Sequence, residues 1–265
     1  MNLKKMMKKH LITCSVILVL TIIFAFSISS RKISKTANLA VNSAGINHGI
    51  SKYVINNNID AANDYSFANE ALPLNSGVYH KLQKSLRKHN FSNVQSHVLQ
   101  IKATRLFPVI EPILRAYGIP EDFKYLPLVE SGLKEGTSIR GAAGLWQFMP
   151  GTARTYGLRV GHGVDERKNV YKSTVAACKY IRGLYEEFNS WTLAAAAYNN
   201  GSIKLAKAMR QQGEDNYFRM RLNRETGNYV YNLVAMKAII DHPQKYGYGE
   251  NYYSYVSPKN FLFYN

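Results

Sequence analysis

One carboxylate is set apart by its surroundings in the sequence. Glu130 follows the apolar run LPLV at 126–129 and precedes Ser131 and a glycine. Burial of such a run would raise the pKa of the carboxyl group, because burial penalises the charged form. A carboxylic acid that keeps its proton near neutral pH can act as a general acid. The alternative is a solvated glutamate at a helix end, and these residues taken alone favour that alternative.

Three later segments carry residues that suit a carbohydrate ligand. The segment 141–152, GAAGLWQFMPGT, combines small residues, which let the backbone approach a ligand, with the amide of Gln147. Together with its apolar neighbours, that amide suits an N-acetylated sugar. The segment 197–201, AYNNG, pairs an aromatic ring with amides, and in 224–230, RETGNYV, Tyr229 can point inward from a helix. Each segment alone is a weak signal.

Other acids and two tryptophans compete for roles in the same site. Asp165, Glu166 and Glu225 stand where helices are predicted to begin, and acids are favourable there because of the helix dipole. We therefore expect these three to be structural. Trp191 lies in an Ala-rich helical pattern and is expected in the core. Trp146 fits a core position and a sugar-stacking platform equally well.

The elements that must position these residues are predicted to be helices. Helical periodicity dominates from Val78 onward, and no segment alternates with period two, so the fold class is mostly α with many short helices. Pro108 predicts the start of a separate helix, and Pro127 predicts a helix in two pieces or with a kink. The run 142–156 predicts a helix interrupted by a Pro-Gly pair, and 165–188 predicts the longest helix.

The composition limits the partners. The chain carries 34 Lys and Arg against 17 Asp and Glu, a formal net charge of +17. A surplus of this size attracts nucleic acid, an anionic membrane face or an anionic wall polymer. With 46% hydrophobic residues the chain can bury a core, which excludes wholesale disorder. Cys14 and Cys178 are expected to be unpaired, and the histidines lack metal-site spacing, so we expect no metal and no cofactor.

The N-terminus has the pattern of an export segment. A cluster of lysines precedes the uncharged apolar run 11–28. Basic residues followed by an apolar run are typical of a signal peptide, and this run is near the lower length limit for a membrane anchor. We expect an exported protein of the periplasm or cell envelope, which contacts the membrane if the N-terminus is not cleaved. Export makes nucleic acid the least expected partner, and we predict none.

The order of the motifs is more specific than any one of them. The runs are VES at 129–131, GAAGLWQFMPGTARTYGL at 141–158, DER at 165–167, AAYNNG at 196–201 and ETGNYV at 225–230. In this order they resemble the lytic transglycosylases with a goose-lysozyme-like (SLT) catalytic domain, especially their membrane-bound D type. The resemblance implies a lysozyme-like helical domain and peptidoglycan glycan strands as the substrate.

The resemblance also implies roles for individual residues. Glu130 would be the catalytic acid and base, and Ser131 would position it. The backbone of Gly144 and Leu145, with Gln147, would hold the N-acetyl group of the substrate. The remaining substrate-binding positions are Phe148, Met149, Tyr198, Asn199 and Tyr229, of which Tyr229 would form a hydrogen bond near Glu130.

These expectations divide the chain into five parts. Residues 1–30 form a signal peptide or anchor, 31–77 a flexible tether with a poorly packed arm as the alternative, and 78–107 an N-terminal helical extension. Residues 108–250 form the catalytic domain, and 251–265 form a short tail. Partner proteins of a cell-wall machinery are not indicated by the sequence.

Three functions remain open on this sequence. The first is a lytic transglycosylase, which cleaves the MurNAc–GlcNAc β-1,4 bond with one glutamate and leaves 1,6-anhydro-MurNAc. The second is a hydrolytic muramidase on the same fold, which would need an activated water. The third is an inactive wall-binding scaffold. The complete set of implied site residues argues against the third.

Overall fold

The computed structural model describes residues 65–73, 75–132 and 136–249. The predicted export segment, most of the predicted tether and the C-terminal tail lie outside these residues. None of the helices in the described part of the chain combines the length and the apolar composition that crossing a membrane requires.

The described residues are mostly helical, as predicted. The longer helices are α1 (Ser76–His89), α3 (Val98–Ala116), α6 (Val170–Phe188), α7 (Trp191–Asn200), α8 (Ser202–Gln212) and α9 (Thr226–Asp241). The short ones are α2 (Phe91–Val94), α4 (Leu126–Ser131) and α5 (Pro150–Thr155), with 3-10 turns at Glu121–Tyr125, Glu166–Lys168 and Pro243–Tyr246. Two antiparallel hairpins, which the sequence analysis missed, pair β1 (Ser66–Phe67) with β2 (Glu70–Ala71) and β3 (Val160–Gly161) with β4 (Val164–Asp165).

Helix α9 lies in the centre of the domain. It packs against α1 and α7, and α7 packs in turn against α6. Most side chains of α9 are buried, so it has apolar residues on nearly every face. Helix α7 contributes four fully buried alanines at 194–197, whose small side chains let neighbouring helices approach closely. These packed helices fix the ends of α7 and α9, from which the candidate site is built.

The last part of the predicted tether belongs to the domain. Phe67 is fully buried, and the backbone N–H of Ala68 donates to Asp122. The carboxylate of Glu70 accepts hydrogen bonds from the backbone N–H groups of Trp191 and Thr192, so it caps the first turn of α7. A flexible tether is therefore wrong for residues 65–73, because their side chains complete the core and a helix end.

The predicted helix over 142–156 is also corrected. Residues 142–149 form a turn closed by bridges from Ala143 to Thr137 and to Phe148, and α5 begins only at Pro150. Gly144 and Gln147 have positive φ angles of 75° and 48°, which a right-handed helix excludes. The Pro-Gly pair therefore starts the helix instead of interrupting it, as is common for proline in a first turn.

Two further helices, α3 and α6, begin at residues other than those predicted. Helix α3 continues through Pro108 and Pro112, so no separate helix begins at Pro108. Both prolines lie on the exposed face, and the opposite face supplies the apolar contacts. The predicted helix over 165–188 begins at Val170, because Asn169 caps it with a side-chain hydrogen bond to the N–H of Lys172. The segment around Pro127 does form two pieces, as predicted.

Candidate active site

Glu130 and Tyr229 meet at the centre of the candidate site. Helix α4 carries Glu130 in its last turn and ends at Gly132, whose left-handed conformation (φ 57°) turns the chain away. The phenol of Tyr229, in the first turns of α9, donates a hydrogen bond to Oε1 of Glu130. Tyr229 is buried and Glu130 is half-buried, so the carboxyl group is largely enclosed by protein. The contact joins two segments that are 99 residues apart.

This environment favours a protonated Glu130. Burial raises the pKa of its carboxyl group to about 7, the hydrogen bond from Tyr229 acts in the opposite direction, and the negative charge of Glu225 adds to the rise. The pKa of Tyr229 lies well above its usual range, mainly because of burial, so the phenol keeps its proton and remains a donor. A carboxyl group with a pKa near neutrality can both release and accept a proton.

Ser131 and Tyr198 hold the backbone of the 141–148 loop at the carbonyl groups of Leu145 and Trp146. The hydroxyl of Ser131 donates to the carbonyl oxygens of Pro127 and Leu145, at 3.0 and 2.9 Å. The phenol of Tyr198, at the end of α7, donates to the carbonyl of Trp146 at 2.7 Å. Both side chains therefore fix the position of this loop through its carbonyl groups.

Gly144 and Gln147 shape the same loop. A Cβ atom on Gly144 would lie 1.9 Å from the carbonyl oxygen of Arg167, so no other residue fits at this position. Gln147 has a positive φ angle, and its Nε2 donates to the carbonyl of Gly144 at 2.8 Å. The amide of Gln147 therefore holds the loop itself, while its side chain is only half-buried.

The sequence analysis missed Arg167. Its guanidinium donates to the carbonyls of Gly141 and Phe148 at 2.6 and 2.9 Å, and to both carboxylate oxygens of Asp165 at 2.8 Å. This buried cation thus ties together the two ends of the 141–148 loop. The DER motif contained the signal, since an arginine two residues after an aspartate can pair with it, but only the fold brings in the loop carbonyls.

The apolar residues of the loop divide into core and surface. Leu145, Trp146 and Phe148 are buried, and the indole N–H of Trp146 donates to the hydroxyl of Thr174 at 3.0 Å. Trp146 is therefore a core residue, which decides between the two interpretations that the sequence left open. Met149 is 46% exposed and is the apolar side chain of this group that a ligand can reach.

Asn199 joins the end of α7 to the start of α9. Its Nδ2 donates to Glu225 at 2.9 Å, and its Oδ1 accepts from the hydroxyl of Thr226 at 3.0 Å. The amide of Asn199 is thus occupied within the protein, and Glu225 is exposed beside it. This link fixes the first turn of α9 and, through it, Tyr229.

Comparison with known proteins identifies the central part of the chain. The family model of the transglycosylase SLT domain matches residues 109–220. Over these residues the chain is similar to transglycosylase SLT domains. The match includes Glu130, the 141–148 loop and Tyr198, whereas Glu225 and Tyr229 lie beyond it. The resemblance to lytic transglycosylases is therefore confirmed.

Three individual relatives match the chain over 94 to 182 residues. The chain is 31% identical to the membrane-bound lytic murein transglycosylase D of Escherichia coli K12 over 182 residues, which are 66% of this chain and 39% of the relative. It is 31% identical to a putative tributyltin chloride resistance protein of Alteromonas over 35% of this chain and 45% of the relative. It is also 35% identical to the peptidoglycan transglycosylase gp16 of phage T7, over 36% of this chain and 7% of that protein. The chain thus spans less than half the length of each of these relatives.

Two other acids in this part of the chain, Asp165 and Glu166, are paired with cations. Glu166 accepts hydrogen bonds from Arg159 and Lys172, which lower the pKa of its carboxyl group to about 2. The hydrogen bonds from Arg167 lower the pKa of Asp165. Neither carboxylate can supply a proton near neutral pH, in contrast to Glu130.

Proposed function

We propose that the chain is a peptidoglycan lytic transglycosylase. It cleaves the MurNAc–GlcNAc β-1,4 bond and leaves a 1,6-anhydro-MurNAc end, with Glu130 as acid and base. The observation that carries the proposal is the half-buried Glu130, with a pKa raised to about 7 and a hydrogen bond from Tyr229. The SLT domain that contains Glu130 supports it.

The reaction needs one carboxyl group in two protonation states. Protonated Glu130 donates its proton to the glycosidic oxygen, the C1–O bond breaks, and the GlcNAc chain leaves with a new hydroxyl. The carboxylate then accepts the proton of the C6 hydroxyl of the same MurNAc, whose oxygen forms a bond to C1. Attack within one sugar is entropically favourable because the nucleophile is already held near the reacting carbon.

The surroundings of Glu130 support a mechanism with one carboxylate. Most glycosidases place two carboxyl groups across the bond that they cleave. In the described part of the domain, Asp165 and Glu166 are engaged by cations. Glu225 is held by Asn199 and acts on Glu130 through its charge, which raises the pKa of Glu130. A nucleophile from the substrate itself needs no second carboxylate.

Other predicted site residues are assigned by what they contact. Ser131 and Tyr198 act as positioning residues through the loop carbonyls that they bind. Gln147, the backbone of the Gly144–Leu145 pair and the exposed Met149 are proposed to contact the sugar and its N-acetyl group. Phe148 supports the loop from the core, and Asn199 fixes the start of α9, which carries Tyr229.

We further propose that the protein acts in the cell envelope on peptidoglycan strands. The basic composition attracts the acidic peptides that these strands carry. The name of the E. coli relative, a membrane-bound lytic murein transglycosylase, agrees with this location. Association with the wall is then expected to weaken as salt screens the charges.

Product analysis tests the proposal. Purified walls are digested with the wild-type protein and with Glu130→Gln, and the soluble fragments are weighed by mass spectrometry. We expect anhydro-muropeptides from the wild type and none from the variant, whose thermal melt shows that it is folded. Reducing ends in place of anhydro ends would indicate a hydrolytic muramidase, and wall binding without any fragments would indicate a scaffold.

A further inference from the structure

A cavity lies outside the Glu130 site. It has a volume of about 460 Å³ and lies between the end of α5, the β3–β4 hairpin and the first turns of α6. Its polar and aromatic lining consists of Tyr156, Arg159, Glu166, Tyr171, Lys172 and Lys179. Tyr171 is 63% exposed, so the cavity opens to solvent. None of these residues takes part in the chemistry proposed for Glu130.

The charges in this cavity are unbalanced. Arg159 and Lys172 both pair with Glu166, at 2.8 and 2.7 Å. Lys179 has no ion-pair partner among the residues that the structure describes, and it is exposed on α6. The cavity is therefore lined by three cations and one carboxylate, which leaves the ammonium group of Lys179 and the outer face of Arg159 available to an anion. Arginine in particular presents N–H groups in a geometry that matches a carboxylate.

The cavity also has apolar and aromatic walls. Tyr156 and Tyr171 line it together with the aliphatic side chains of Leu158 and Val175. Aromatic rings with an exposed face contact aliphatic and sugar groups favourably. A ligand that combines a carboxylate with short aliphatic side chains fits both kinds of wall.

A chain of aromatic rings connects the cavity with the candidate active site. The rings of Tyr156 and Tyr180 are 5.0 Å apart, and those of Tyr180 and Tyr198 are 5.1 Å apart. Tyr198 in turn binds the carbonyl of Trp146 in the 141–148 loop. Two contacts between aromatic rings thus lead from Tyr156 in the cavity wall to Tyr198 at the candidate active site. One polymeric substrate is long enough to reach both places.

We infer that this cavity binds the carboxylate-bearing peptide of a peptidoglycan strand whose glycan chain lies at Glu130. The inference rests on the proposed function, since it assigns a second part of the same substrate to a second place on the domain. Lys179 and Arg159 bind the peptide carboxylate, and the tyrosine rings contact its aliphatic side chains.

Binding measurements in an inactive background test the inference. Glu130→Gln is combined with Lys179→Glu, and dissociation constants are measured by co-sedimentation with two insoluble polymers. One is wall freed of phosphate-bearing polymers, and the other is the same wall after an amidase has removed its peptides. We expect Lys179→Glu to weaken binding about fivefold on the peptide-bearing wall only, the scale of one exposed charge contact.

A matched charge reversal serves as the control. Lys245 is exposed on the 3-10 turn Pro243–Tyr246, outside the cavity, so Lys245→Glu changes the net charge equally. Equal weakening by both reversals, equal weakening on both polymers, or no weakening would overturn the inference. The proposed function is tested separately by the products of the wild-type protein. The presence or absence of anhydro ends among those products does not depend on which ligand Lys179 binds. Weakening that appears only when phosphate polymers are left on the wall would assign the cavity to phosphate and would also overturn the inference.

Discussion

Two tyrosine–carboxylate hydrogen bonds fasten the two ends of α9 to the segment 121–131. Near the start of α9, Tyr229 donates to Glu130 of α4. At the end of α9 the helix supplies the carboxylate instead of the phenol. There Asp241 accepts a hydrogen bond from Tyr125 of the 3-10 turn Glu121–Tyr125. The same pair of chemical groups therefore occurs twice on one helix.

The two pairs differ in how much water reaches the carboxyl group. Asp241 is exposed, whereas Glu130 is half-buried beneath α9 and the 141–148 loop. Burial raises the pKa of Glu130 to about 7, although the bond from Tyr229 opposes that rise. A hydrogen bond from a phenol is thus common to both pairs, and enclosure of the carboxyl group is what distinguishes the pair for which we propose a catalytic role.

The largest difference is expected in catalysis. Glu130→Gln removes the proton donor and should lower the rate of wall cleavage by about 10³-fold, within the range of general acid catalysis. Asp241→Asn makes the same chemical change in the other pair and should leave the rate within about twofold. Rates of release of soluble fragments measure both. A comparable loss in the two variants would mean that the pairs do not differ in function.

A smaller difference is expected in the pH dependence of stability. The unfolded chain ionises Glu130 near its usual pKa of 4.5, whereas the folded chain does so only near 7. The wild type therefore loses stability as the pH rises from about 4.5 to 7, because ionisation then favours the unfolded state. Glu130→Gln lacks this loss, so the free energy of unfolding of the variant relative to the wild type should rise by about 3 kcal/mol between pH 4 and pH 8.

Urea unfolding at the two pH values measures this change. Tyr229 can still donate to the amide oxygen of the glutamine, so the hydrogen bond is retained in the variant. A constant difference between the wild type and Glu130→Gln from pH 4 to pH 8 would show that Glu130 is not enclosed as described.

Substituting the tyrosine of each pair by phenylalanine removes the hydrogen-bond donor and leaves the carboxyl group in place. Tyr229→Phe removes the hydrogen bond that lowers the pKa of Glu130, so the loss of activity at high pH should move to higher pH. The turnover number should fall about tenfold, because Glu130 is no longer held and its carboxylate loses a donor. Tyr125→Phe should instead lower the free energy of unfolding by about 1 kcal/mol at unchanged turnover. The two pH–rate profiles distinguish a positioning role from a structural one.

The smallest effect concerns Glu225. Its charge raises the pKa of Glu130, so Glu225→Gln should move the loss of activity at high pH to lower pH by a fraction of a pH unit. Glutamine can still accept the hydrogen bond from Asn199, which keeps the start of α9 in place. Because Glu225 is exposed, the shift should shrink at high salt. An equal shift at low and high salt would contradict a purely electrostatic effect.

Local sequence signals predicted the helices better than the connections. The capping asparagine and the apolar face of α6 are local, and the mostly α fold followed from such patterns. Residues 142–149 were predicted as the first part of a helix over 142–156. Contacts from Arg167 and Ser131, distant in sequence, hold them in another conformation. The hairpin around Phe67 was missed for the same reason, since its contacts come from α7 and Asp122.

The sequence by itself determined the helical composition and the order of the motifs, since residue types and near-neighbour spacing are sufficient for these. The choice of Glu130 followed from the family resemblance that this order carries. The sequence also pointed to Tyr229. Only the tertiary structure decided that Trp146 is a core residue, that Asn199 is occupied by α9, and that Arg167 closes the loop. These outcomes depend on which distant groups meet and on how far water is excluded from them, and neither quantity is contained in a local pattern.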